Sequence, residues 1–185
     1  RIPNIGRYIF IARDASVYGE MGWDDTKKGY IRPNQPGGLI GTLLTGFLWD
    51  PYLDLRLEYA QSTPKMFTHH LYTDGYTYKD AVLSHFIGTD GSEMYAPLTQ
   101  WITHEILLGF DASRARIGST QHVIKEDDRP PREKRDSFGF DVSYRFTECD
   151  SIFIGYDLSR ITNRDFVTDN PEFDHVFGVE YTHAF

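Results

Sequence analysis

The stretch Ser137-Phe138-Gly139-Phe140-Asp141-Val142-Ser143-Tyr144-Arg145-Phe146-Thr147 alternates apolar and polar residues with period two. Phe138, Phe140, Val142, Tyr144 and Phe146 share one parity; Ser137, Gly139, Asp141, Ser143 and Arg145 share the other. Successive side chains of a strand point to opposite faces, so this is a strand whose two faces meet different surroundings. A soluble β-sandwich and a membrane-crossing barrel both write such a pattern, and parity alone does not separate them.

Other segments repeat the pattern. From Tyr52 to Gln61, Leu53, Leu55, Leu57 and Tyr59 oppose Asp54, Arg56 and Glu58. From His104 to Ser113, Ile106, Leu108, Phe110 and Ala112 oppose Glu105, Gly109, Asp111 and Ser113, with Leu107 out of step. The alternating runs last roughly 9 to 12 residues, the length of a tilted membrane-crossing strand and about twice that of an average soluble one. The final run places Phe177, Val179, Tyr181 and Phe185 on one face, with His183 interrupting. A terminal Phe after alternating apolar residues resembles the C-terminal signal that bacterial barrel proteins present to their assembly machinery.

Composition agrees with strands rather than helices as the crossing element. Of 185 residues 40% are hydrophobic, mean hydropathy is -0.45, and no stretch approaches the roughly 18 uninterrupted apolar residues of a membrane helix. Barrel strands pass that filter because half of each strand is polar. The 12 Tyr, 13 Phe and 3 Trp would furnish interfacial girdles, or equally an aromatic soluble core. A net charge of -8 without a basic stripe argues against a nucleic-acid partner. Cys149 is the sole cysteine, so no intrachain disulfide can form, and its segment Thr147-Glu148-Cys149-Asp150 reads as a turn. The start, Arg1-Ile2-Pro3-Asn4, carries no initiator Met and no leader, as expected of a processed chain or of the later part of a longer one.

The alternation predicts nine strands, at about 7 to 13, 16 to 24, 38 to 49, 52 to 62, 93 to 100, 103 to 115, 137 to 147, 151 to 162 and 174 to 185. Connections alternate short and long. Short ones fall near Asp14-Ala15, Asp50-Pro51, Trp101-Ile102 and Glu148-Cys149; long ones run over 25 to 37, 62 to 92, 116 to 136 and 163 to 174. In outer-membrane barrels short turns face the periplasm and long loops face outside, so one orientation satisfies the whole chain. Nine antiparallel strands cannot close on themselves, which points to the C-terminal portion, residues 1-185, of one larger barrel domain. An eight-stranded barrel is the fallback, with Arg7 to Arg13 the first segment to drop.

The segment Leu57-Glu58-Tyr59-Ala60-Gln61-Ser62, then His70-Leu71-Tyr72-Thr73-Asp74-Gly75-Tyr76-Thr77-Tyr78 and Ser84-His85-Phe86-Ile87-Gly88-Thr89-Asp90, resembles the Wzi-type capsule assembly family of outer-membrane proteins. That family shows a Glu-Tyr strand end, a Tyr-Thr-Asp-Gly-Tyr-like loop and a Gly-His with a downstream Asp; Ser84 stands in place of that Gly. The resemblance implies an antiparallel transmembrane barrel of about eighteen strands that helps retain capsular polysaccharide, by binding and not by turnover.

The densest polar and aromatic cluster is His69, His70, Tyr72, Asp74, Tyr76, Tyr78 and Asp80. Aromatic faces stack on sugar rings while carboxylates accept bonds from hydroxyls, so His70, Tyr72, Asp74, Tyr76 and Tyr78 form the candidate saccharide-binding set. The competing reading is a turn at Asp74-Gly75 whose tyrosines fold the loop into the lumen. His69, His70 and His85 with Asp74 and Asp90 lack the spacing of a helical zinc motif, so no metal site and no cofactor are expected. Ser84-His85 invites comparison with outer-membrane lipid hydrolases, but a triad is defined by geometry, not adjacency, and no catalytic residue is assigned.

Inward parity carries Glu20, Asp54, Glu58, Glu105, Asp111, Asp141, Asp157 and Glu180 against Arg56 and Arg145. Such an acidic lumen repels polyanions. The run Arg129-Pro130-Pro131-Arg132-Glu133-Lys134-Arg135 after Glu126-Asp127-Asp128 reads as a solvated mixed-sign loop whose basic half can meet anionic lipopolysaccharide. The expectation is therefore a non-catalytic bacterial outer-membrane barrel that retains or assembles surface polysaccharide. Its partners would be that polysaccharide, outer-membrane lipid and lipopolysaccharide, the assembly machinery, and the remaining strands from the same barrel or another chain. A porin-like diffusion channel and a lipid-modifying enzyme are the alternatives.

Overall fold

A computed structural model describes residues 11–23, 25–26, 33–34, 36–63, 77–78, 81–82, 87–88, 90–118 and 131–184; for 25–26, 33–34, 77–78 and 81–82 it describes backbone alone. Eight long strands make one antiparallel sheet: β1 Ala12–Gly22, β2 Gly37–Phe47, β3 Leu53–Gln61, β4 Ser92–Trp101, β5 Ile106–Ile117, β6 Glu133–Arg145, β7 Asp150–Thr162 and β8 Glu172–His183. Each pairs with its neighbours in the chain, in the order β1 to β8 without a crossover. Two short ladders, 25–26 with 33–34 and 77–78 with 81–82, lie within the long connections. The one described helical element is a 3-10 turn, Arg164–Phe166.

Register fixes the two faces. Val142 lies opposite Leu108 and Ile154, and Ile154 opposite Val179. Phe140 lies opposite Phe110 and Tyr156, and Tyr156 opposite Phe177. On β3, Leu55 faces Leu44 and Leu98. The expected outward set, Leu57, Val142 and Val179, therefore falls on one face, with Glu58, Asp141 and Glu180 on the other. The apolar face is uncovered by any second sheet among the described residues: Val17 is 75% exposed, Phe138 63%, Phe177 68% and Val179 58%. A soluble sandwich would bury this set, and a barrel wall gives it to lipid.

The buried hydrophobics sit elsewhere. Ala60, Ile87 and Ala115 form a small cluster with Leu39 and Ile117, on the polar face at the long-loop end. The short-turn end instead shows exposed Leu48, Trp49, Tyr52, Trp101, Ile102, Phe146 and Tyr181. Phe146 and Tyr181 stack with centroids 6.3 Å apart, the composition of an interfacial girdle.

The strand count corrects the nine-strand expectation. Asp14 and Ala15 do not turn the chain; they pair with Thr45 and Leu44 inside β1, so the first two expected strands are one where they are described. Arg13 and Asp14, both more than 70% exposed at the side chain, stand near the short-turn rim, where water meets both faces and a polar dipeptide needs no reversal. With eight long strands among the described residues, the odd count no longer argues for a larger barrel. Glu105 is a second correction: it lies in the turn before β5, where its carboxylate accepts from the Thr103 hydroxyl at 2.8 Å. The alternation of connections holds after β1. Turns 48–52, 102–105 and 146–149 mark one end, and connections 23–36, 62–91, 118–132 and 163–171 the other. Arg7 to Phe10 and Phe185 lie outside the described residues.

One strand breaks a rule of sheets. Pro97 sits inside β4, between two neighbours, and has no N–H to donate. On the β5 side it pairs with Asp111, while towards β3 the ladder skips Arg56 and Leu57 and resumes at Glu58 opposite Tyr95.

Candidate functional site

The polar face is built from rows that cross the sheet. One row runs Tyr18, Gly41, Glu58, Tyr95, Ser113, Ser137, Ser159, Asp174 over all eight strands. Tyr18 lies flat over Gly41 and donates to Glu58 Oε1 at 2.5 Å. Only a glycine permits this reach, since a Cβ at position 41 would stand 2.5 Å from the ring. Arg56 sits 5.6 Å over the Tyr95 ring and 3.9 Å from the same Glu58 oxygen. Further along, the Ser137 and Ser159 hydroxyls bond at 2.7 Å.

Below that row, Asp111, Asp141 and Asp157 interleave with Gly109, Gly139 and Gly155 of the adjoining strands. A Cβ on Gly139 would collide with Asp111 and Asp157, and one on Gly109 with Asp141. The carboxylates thus lie across their neighbours, and the wall is an acidic, acceptor-rich surface. It can accept bonds from hydroxyls and repels polyanions. Among the described residues no group of three or more His, Cys, Asp or Glu is arranged to hold a metal.

At the long-loop end the feet of three connections are tied together. Ser62 N–H donates to Gly91 O at 2.9 Å, Ser62 Oγ donates to Gly88 O at 2.6 Å, and Gly91 N–H donates to Ser62 Oγ at 2.9 Å. Ile87, 1% exposed, anchors the returning chain on Ala60 and Ala115. Asp90 then accepts from Arg132 Nη2 at 2.8 and 2.9 Å, Arg132 O accepts from Asn163 Nδ2 at 3.1 Å, and Glu133 Oε2 accepts from Asp165 N–H at 3.2 Å. Arg164 bridges Glu172 at 2.6 Å and Asp174 at 3.2 Å, and these carboxylates raise its pKa against the opposing effect of desolvation.

The opposite end has its own hub. Asp150, the first residue of β7 at the short-turn end, accepts from Thr147 Oγ1 at 2.5 Å and from the Tyr181 hydroxyl at 2.6 Å, and lies 2.7 Å from His183 Nδ1. These bonds hold its carboxyl below the usual carboxylate range. His183, which broke the alternation of the last strand, is there as a partner of Asp150.

Of the expected saccharide set, His70, Tyr72, Asp74 and Tyr76 lie outside the described residues, as do Ser84 and His85; Tyr78 is described in backbone alone, paired with Ala81. The described members of the same motif have structural roles: Ile87 is the anchor, Gly88 turns with φ +60°, and Asp90 is the ion-pair partner. Sequence reading missed Arg132 as that partner and missed the outward basic residues Arg114, Arg116 and Arg160; Lys134, read as part of a mixed-sign loop, lies in β6 with the same outward parity. Extending the outward parity of Phe138, Ala112 and Leu158 by two to four residues lands on all four.

An antiparallel meander with an uncovered apolar face, a charged opposite face, short turns at one end and long loops at the other has the build of a β-barrel wall. The model of the family described as capsule assembly protein Wzi matches residues 7–173. The chain belongs to that family. No curated protein and no solved structure matches it.

Proposed function

We propose that this chain is part of a barrel in the bacterial outer membrane, its C-terminal portion, and that it assembles or retains surface polysaccharide on the long-loop side without catalysing a reaction. The observation that carries the reading, beside the family, is the knot of hydrogen bonds from Ser62, Gly88 and Gly91. It gives the aromatic segment between β3 and β4 a fixed base at the end where the other long connections gather. A loop held at its feet would bring His70, Tyr72, Asp74, Tyr76 and Tyr78 to a saccharide at lower ordering cost than a free one. The apolar face supports contact with outer-membrane lipid and lipopolysaccharide. The edges β1 and β8 are where remaining strands, or a partner chain, would pair. The last strand and Phe185 would address the assembly machinery.

Replacing Tyr72, Tyr76 and Tyr78 with Ala is the test, because loops tolerate change that strands do not. Cell-associated polysaccharide should fall while heat-modifiable mobility, the mark of an assembled barrel, stays normal. Unchanged retention by a normally assembled barrel removes the loop from the binding role. Liposome swelling by the complete protein would then favour a diffusion channel with a cation-preferring wall.

A further inference from the structure

The outward face changes character towards the long loops. On β5, β6 and β7 its apolar parity ends at Ala112, Phe138 and Leu158, which share one register row, while Ile40, Tyr59, Met94 and Phe173 carry apolar side chains one row further on the flanking strands. Two residues on, the same parity carries Arg114, Asp136 and Arg160; two further, Arg116 stands directly opposite Lys134. All four cations are exposed. Arg114 Nε lies 2.6 Å from Asp136 Oδ1; among the described residues Arg116, Lys134 and Arg160 have no carboxylate within ion-pair distance. Like charges directly opposite each other in an antiparallel pair are destabilising, so Arg116 beside Lys134 is an arrangement that calls for an anion.

A trough of about 960 Å3 opens on this face immediately below the cations. Its lining reaches from Val17 on β1 to Phe173 on β8 and includes Arg114, Asp136 and Arg160 beside the apolar Leu57 and Phe138. Ala96 and Ala112, in the same lining, face each other in register and are too small to fill it. One depression thus joins Arg114 and Arg160, with Asp136 between them, to small and apolar side chains. From Phe146 to Phe138 the apolar parity runs about 27 Å at about 3.4 Å per residue, which at a tilt of about 35 to 45° covers roughly 19 to 22 Å of an apolar band about 25 Å tall, so that its edge falls about two residues further on. The cations then stand at headgroup level, where Lys and Arg attract anionic lipid.

The geometry points to a binding site for a phosphorylated acyl lipid, its phosphate held by Arg114, Arg116, Lys134 and Arg160 and one acyl chain laid over Ala96 and Ala112. Guanidinium forks match phosphate oxygens, and the lysine adds a point charge. A soluble polyanion would answer the charges and leave the trough empty; a neutral lipid would fill the trough and leave the charges unmet. The inference rests on the membrane-wall reading of the preceding subsection.

Native mass spectrometry of the full-length protein, released from outer membranes in mild non-ionic detergent and offered bis-phosphorylated lipid A, reads the bound lipid directly. The wild type should retain it, and the variant R114Q/R116Q/K134Q/R160Q should retain about tenfold less or lower still. Ala112→Phe, which fills the trough at constant charge, should also lower retention, whereas Arg145→Gln, on the polar face, should not. Lipid A stripped of its phosphates should bind the wild type no better than the quadruple variant. If the quadruple variant fails to assemble, K134Q/R160Q, checked by heat-modifiable mobility, should show a partial loss. Equal retention by wild type and variants, indifference to phosphate removal, or displacement by inorganic phosphate alone overturns the site. A wild type missing from the outer-membrane fraction overturns the membrane-wall reading itself, while an embedded wild type without lipid A overturns the site alone.

Discussion

Asp90 and Arg132 are 42 residues apart in the chain, yet Arg132 Nη2 lies 2.8 and 2.9 Å from the two Asp90 carboxylate oxygens. The pair joins the returning foot of the connection after β3 to the foot of the connection after β5. Each foot also has a tie of its own, through Ser62 and Asn163. The pair therefore governs how the loops are held rather than whether the sheet forms.

Asp90→Asn should accordingly leave assembly intact and cost less than about 1 kcal/mol, as partly exposed ion pairs do. Its effect should appear in the loops. Limited proteolysis on whole cells should cut the 62–91 connection faster in Asp90→Asn and in Arg132→Gln, and the double variant should be no worse than either single one. Additive effects would mean that the two residues act apart.

Val142 and Asp141 are adjacent and point to opposite faces. Val142→Arg should cost about 2 to 4 kcal/mol in unfolding from bilayers, the range for a cation at mid-membrane on a lipid-facing position. Asp141→Asn keeps the shape that lies over Gly109 and should be nearly neutral. Equal costs at the two positions would remove the basis for the inside and outside assignment.

Asp150 supplies a pH dependence whose sign follows from its bonds. Thr147, Tyr181 and His183 depress its carboxyl pKa in the folded state, so its contribution is present above the unfolded value, about 3.9, and is lost as pH falls through the lower folded value. Urea midpoints should show wild type more stable than Asp150→Asn near neutrality, with the gap narrowing under acid. A gap that widened under acid would mean that the bonds favour the protonated carboxyl.

Much of the fold was legible because a strand wall is a local code. Phe138 to Phe146 and Leu53 to Tyr59 declare their faces by parity alone, and a rule of two residues needs no knowledge of what lies across the sheet. The rim was harder. Asp14-Ala15 looked like a turn and is strand, because near the rim both faces are wet and parity carries no signal there. Glu105 looked like strand and is turn for the same reason.

What the sequence by itself determined was the all-β class, the parity that separates an apolar from a polar face within the strands, the order of long and short connections after β1, and the family. What only the tertiary structure decided was which residues meet across strands: Tyr18 with Glu58 over Gly41, Asp90 with Arg132, His183 with Asp150, and the outward gathering of Arg114, Arg116, Lys134 and Arg160 beyond Ala96 and Ala112. Parity tells a residue which face it occupies. Register tells it who stands opposite, and register depends on turn lengths and ladder pairing that no single strand contains.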